Sequence, residues 1–162
     1  EHPPLHYWLM NLWQGVFGPD VVTGRFFSLA LSVLGVALIY RIGKTMGGAR
    51  VGLLGALFLA LARFDIWWAQ DIKNYTLSAF FAWASVWFVW KIVSSRDVEK
   101  RERSTLLLYG GYVLCAALAL FSHYLAALIL LASNVFVGIV LLARWRAGKN
   151  PLPFWIFQST TS

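Results

Sequence analysis

Apolar residues along this chain gather into long runs separated by short polar stretches. Five runs approach the roughly 20 residues that a membrane-spanning helix needs. They are Val21 to Tyr40, Gly47 to Trp68, Tyr75 to Trp90, Leu106 to Ser122 and Tyr124 to Ala143. The second is the least regular. Its uninterrupted apolar core, Val51 to Ala62, also suits a re-entrant or buried helix, and Arg63 and Asp65 follow it. A charge at mid-bilayer costs at least ~2.5 kcal/mol, so both residues are expected at a membrane boundary. Ahead of the first run, Leu5, Trp8, Leu9, Leu12, Trp13, Val16 and Phe17 recur at helical spacing. His6, Asn11 and Gln14 fall on the opposite, polar face. This stretch is too short to span and predicts a helix lying in the membrane interface. Gly18-Pro19-Asp20 then predicts a turn.

Composition supports the same picture. Hydrophobic residues make up 59% of the chain and charged ones 13%. Mean hydropathy is +0.65. A soluble domain carries about 25% charge. Disorder and a soluble fold are excluded, and the single cysteine, Cys115, excludes an internal disulfide. The net charge of +7 would suit a nucleic-acid partner, but its distribution does not. Eleven of the fourteen Lys and Arg residues fall in the Arg41–Arg50 loop, the Lys91–Arg103 loop and the segment after Ala143. These are alternate loops of the five-span scheme, as the positive-inside rule requires. The expected fold is an all-α polytopic membrane helix bundle of about five transmembrane helices plus one interfacial amphipathic helix. Residues 1–20 form an outer loop with the interfacial helix, 21–143 the spans, and 144–162 a cytoplasmic loop and the start of a further segment. The chain reads as a piece of a longer protein. Gly52, Gly55, Gly110 and Gly111 are expected at close helix approaches.

With the basic loops inside, the opposite face collects Glu1, His2, Gln70, Asp71, Lys73, Tyr75, His123 and Tyr124. No nucleotide loop, nucleophile elbow or HExxH motif is present. A carboxylate two residues from a cation, as in Asp71 and Lys73, suits a base or metal ligand beside a phosphate contact. It suits equally an interfacial charge pair. Glu1 and His123 are donors fit for a divalent metal ion, and His123 suits equally a polar residue bridging two helices. Trp67, Trp68, Trp87 and Trp90 read as belt residues.

Four segments together resemble a known family. Glu1-His2-Pro3-Pro4-Leu5-His6-Tyr7-Trp8 is similar to the HPPLYY/EKPPLxYW element of the polyprenol-phosphate-sugar-dependent membrane glycosyltransferases of GT-C fold. That group includes protein O-mannosyltransferase and lipid A aminoarabinose transferase. Phe17 to Ser28 resembles its FGDSEFALRLLS stretch, Trp68 to Tyr75 its SQEARMY element, and Phe121 to Tyr124 its YTHY element. The resemblance covers about 1–145. It implies transfer of a sugar from a polyprenyl-phosphate donor to a glycan, lipid or protein acceptor outside the cytoplasm, at the plasma membrane. It implies that Asp71 is the second outer acid and a catalytic residue. His2, Gln70, Lys73, Tyr75, His123 and Tyr124 would contact substrate, and Glu1 would belong to a divalent-metal site. Lys73 stands where the family has Arg, so charge is kept and the bidentate fork is lost. The principal catalytic acid of the family lies upstream of the HPPL element, before Glu1. Two other readings use the same outer face: a transporter or flippase for a lipid-linked sugar, and an inactive membrane fragment.

Overall fold

A computed structural model describes residues 4–94 and 102–146, and all regular structure among them is helical. The amphipathic stretch forms α1, Leu5–Phe17. Gly18 ends it at φ +100°, a conformation that glycine adopts without strain, and its N–H bonds the Gln14 carbonyl at 2.8 Å. Helix α2, Val21–Gly47, continues past the expected end at Tyr40 by two further turns that carry Arg41 and Lys44. Then come α3, Ala49–Ala60, and α4, Arg63–Ala69. The remaining helices are α5, Tyr75–Ser94, α6, Glu102–Ser122, and α7, Ala126–Arg146.

The expected count of five spans is not met. Among the described residues, three helical stretches are long and apolar enough to cross a membrane: Val21–Gly47, Tyr75–Ser94 and Ala126–Ala143. A fourth exists only if α3 and α4, bent by 60° at their junction, act as one broken span. The reason is length. The twelve residues of α3 rise only about 18 Å, against a hydrocarbon core of about 30 Å. The chain then leaves the helix at Leu61 and Ala62, where Ala62 turns extended just before the charge of Arg63. The stretch Leu106–Ser122 is apolar but falls just short of spanning length by itself.

Small residues set how closely the helices pack. A Cβ on Gly52 of α3 would stand 2.5 Å from the Tyr40 carbonyl oxygen of α2, and one on Gly43 would stand 2.7 Å from the Gly52 Cα. The helical hairpin therefore closes backbone on backbone. Farther up α2, the space at Gly35 is filled by the Trp83 ring of α5 and that at Gly24 by Ile72. Gly24 meets the turn before α5 and Gly35 the middle of α5, so α2 and α5 lie parallel. Gly111 of α6 lies under the Phe88 ring, whereas Gly110 faces open space. Ala82, Ala119 and Ala126 pack where α5, α6 and α7 meet, with Phe81 against them.

Helix α1 presents its faces in the reverse order of a soluble amphipathic helix. His6 and Met10 are buried against the bundle, while Trp8 is 76% exposed and Leu12 and Val16 lie open beside it. His6 therefore belongs to the packed face and not to the solvent face that its polarity suggested. An outward apolar face is the arrangement a helix takes when it lies in a membrane interface.

The glycine contacts generate a test. Gly52→Ala pushes a methyl group into rigid backbone and should cost about 1–3 kcal/mol. Gly110→Ala meets nothing within 4 Å and should be neutral or stabilising by about 0.5–1 kcal/mol. Thermal unfolding midpoints in detergent check both, and equal midpoints for the two variants would contradict the packing described.

Candidate functional site

The turn between α4 and α5 supplies most of the site. Helix α4 ends at Ala69, Gln70 caps it, and Asp71 to Asn74 make the turn into α5. Ile72 wedges over Gly24, and the Asn74 amide donates to the Ser122 carbonyl at 2.5 Å. The turn is thereby fastened to the first turn of α2 and to the last residue of α6. His123 follows, its N–H bonded to the Ala119 carbonyl at 2.9 Å. Trp13 of α1 donates its indole N–H to the Thr23 carbonyl at 2.9 Å, bringing α1 to the same end.

Within this frame Asp71 and Lys73 form an ion pair of 3.2 Å, with side chains 44% and 51% exposed. The Asp71 carboxylate also accepts the Ile72 N–H at 2.9 Å. The Lys73 ammonium sits 5.0 Å from the centre of the Trp68 ring. Trp68 packs on Tyr75 at 4.1 Å between ring centres, and Tyr75 on His123 at 5.0 Å. A cation, two aromatic rings and an imidazole thus run as one continuous array across α4, α5 and the α6–α7 junction. His123 Nδ1 accepts the Leu125 N–H at 3.1 Å.

Of the residues expected here, Asp71, Lys73, Tyr75 and His123 are brought together. Gln70 is exposed at the end of α4, and Tyr124 is exposed next to His123. Glu1 and His2 lie outside the described residues. Among the described residues no three His, Cys, Asp or Glu side chains gather to hold a metal ion. The described donors alone do not make a metal centre.

Three residues were missed or misread. Trp68 is the half-buried hinge of the array and more than a belt residue; its adjacency to Gln70 and Asp71 was the available signal. Asn74 ties two loops together, which no spacing rule shows. Asp65 was expected at a boundary. Its carboxylate accepts the Ser32 hydroxyl at 2.5 Å, two helical turns beyond Arg25 along α2, a bond that the sequence did not show.

The family model for dolichyl-phosphate-mannose-protein mannosyltransferases matches residues 1–158. The chain belongs to that family. No curated protein and no solved structure matches it. Membership makes the chain a multi-pass membrane protein of glycosyltransferase type, one that works with a lipid-phosphate-linked sugar. The array fits that chemistry. A half-exposed ion pair contributes at most about 1 kcal/mol, so Lys73 can exchange Asp71 for a phosphate at little cost.

His6 ties this end of the bundle to pH. Burial pushes its pKa below 6.5, and Nδ1 has no hydrogen-bond partner among the described residues. The imidazole must therefore be neutral to stay packed. The unfolded chain takes up a proton near pH 6.5 and the folded chain only at lower pH, so the stability from His6 is complete above 6.5 and is lost as pH falls below it. On moving from about pH 7.5 to about pH 5.5, the wild-type unfolding midpoint should drop more than that of His6→Gln. Parallel pH profiles for the two would show that His6 does not carry the effect.

Proposed function

We propose that this chain forms part of an enzyme that transfers a sugar from a polyprenyl-phosphate donor to an acceptor on the extracytoplasmic side of the membrane. The observation that carries the reading is the Lys73–Trp68–Tyr75–His123 array with Asp71 on its cation. The acceptor oxygen attacks the anomeric carbon as the bond to the phosphate oxygen breaks, with inversion. The bonding pair leaves with the polyprenyl phosphate. The acceptor proton passes to the carboxylate base that the family resemblance places before Glu1. Lys73 meets the charge growing on the departing phosphate. Asp71 holds the ammonium in place before the donor arrives, with the Trp68 ring beside it. His2 supplies a second phosphate contact. Phosphate is a good leaving group, so no general acid is needed on that side.

A second reading rests on one specific observation. The α3–α4 pair is a helix broken by 60°, and its second half carries Asp65 against Ser32. Broken helices with polar groups at depth are a transporter feature, so translocation of the same lipid-linked sugar is the alternative. It predicts movement of donor across vesicles without any transferred product.

In the full-length enzyme, Asp71→Asn and Lys73→Ala should each lower turnover about 10²–10³-fold without loss of folded protein. Lys73→Arg, which keeps the charge and adds the fork, should stay within about tenfold of wild type. A radiolabelled-donor transfer assay reads all three, and wild-type turnover in both Asp71→Asn and Lys73→Ala would overturn the assignment.

A further inference from the structure

The end of the bundle remote from the array holds a second charged cluster. Arg41 lies in the extended part of α2 and Lys91 in the last turn of α5. Both reach the same indole. The Arg41 guanidinium is 5.8 Å and the Lys91 ammonium 5.7 Å from the centre of the Trp87 ring. The sum of those distances bounds the separation of the two charges. Lys44, one turn beyond Arg41, sits over the Tyr40 ring at 5.8 Å. The acids with described side chains, Asp20, Asp65 and Asp71, all belong to the other half of the molecule, and the one ion pair among the described residues is there too. Two cations thus share one ring and a third lies one helical turn away, with no described carboxylate among them.

Rings attract cations only weakly, so these side chains remain free to turn toward an anion. We propose that Arg41, Lys44 and Lys91 bind the phosphate of an anionic glycerophospholipid headgroup at the basic end of the bundle. A tetrahedral phosphate accepts contacts of about 2.8 Å from donors on several sides and would relieve the repulsion between these like charges. Arg41 supplies paired donors, and the two lysines supply point charges. The structure favours a lipid over a free anion. The face of α2 that carries Arg41 continues toward mid-bilayer as Ala37 and then Leu34, both exposed, with exposed Val33 beside them. A headgroup held at the cations therefore has an open apolar track for its acyl chains. Anionic lipids of the cytoplasmic leaflet meet basic juxtamembrane residues in this way. The site is independent of the transferase reading, because it shares no residue with the array.

Thermal unfolding of the purified chain in zwitterionic detergent tests this. Phosphatidylglycerol should raise the unfolding midpoint by about 3 °C or more, and phosphatidylcholine should not. Arg41→Gln/Lys91→Gln should lose most of that rise. Arg146→Gln, which removes a basic charge from α7, should keep it. If the double variant does not fold, Lys91→Gln alone should lose at least half of the rise. An undiminished rise in the Arg41 and Lys91 variants overturns the site, as does an equal loss in Arg146→Gln. A shift matched by inorganic phosphate alone at the same concentration overturns the lipid as its ligand. No shift in the wild type, restored in Asp97→Asn/Glu99→Gln, would show that the chain's own acids fill the site and would also overturn it.

Discussion

Helix α2 meets its neighbours over positions that have no side chain to spare. Gly43 and Gly52 close the hairpin with α3, Gly35 admits Trp83 of α5, and Gly24 admits Ile72 of the turn before α5. In lipid the hydrophobic effect does not drive helices together, so close backbone approach and shape carry the packing. Everything at the candidate site inherits its position from this seam. Asp71 and Lys73 flank the residue that fills the space at Gly24, and the Trp68–Tyr75 contact lies just beyond it. A wider α2–α5 spacing would move the cation and the carboxylate together, away from α1 and α2.

The site itself is loosely charged and firmly framed. Its ion pair is half exposed and weak, while its frame consists of backbone-directed bonds from Asn74 and Trp13 and a run of ring contacts. Such a division suits a phosphate that must come and go. In the proposed transfer the rings and the turn would stay in place, and only the Lys73 side chain would change partner. The Asp65–Ser32 bond acts below this layer, holding α4 against α2 so that the end of α4 faces the array.

Much of this was legible in the sequence. Periodicity revealed α1, and the long apolar runs revealed α5, α6 and α7 to within about four residues and α2 up to its last two turns. The irregular Val51–Ala62 core already marked the place where the chain breaks. Hydropathy counts residues but not direction, so it could not show that Arg63 and Asp65 begin a separate short helix turned by 60°. The motif around Gln70 to Tyr75 named Asp71, Lys73 and Tyr75, and Phe121 to Tyr124 named His123, and the fold brings these four together. The role of Trp68 was hidden because a tryptophan near a helix end has an ordinary explanation at a membrane surface. His6 was misplaced because polarity was taken to point toward water. Beside a bilayer, the protein interior is often the more polar direction.

Helix α1 contains no Lys, Arg, Asp or Glu. Its attachment to a membrane would rest on Trp8, Leu12 and Val16 and would owe nothing to charge attraction. The opposite end of the bundle carries the Arg41 and Lys91 cations, and the hold of such charges on a charged surface weakens as ions screen it. The two ends therefore answer to different properties of their surroundings. Attachment at one end would vary with ionic strength, and at the other with how much apolar surface the lipids cover.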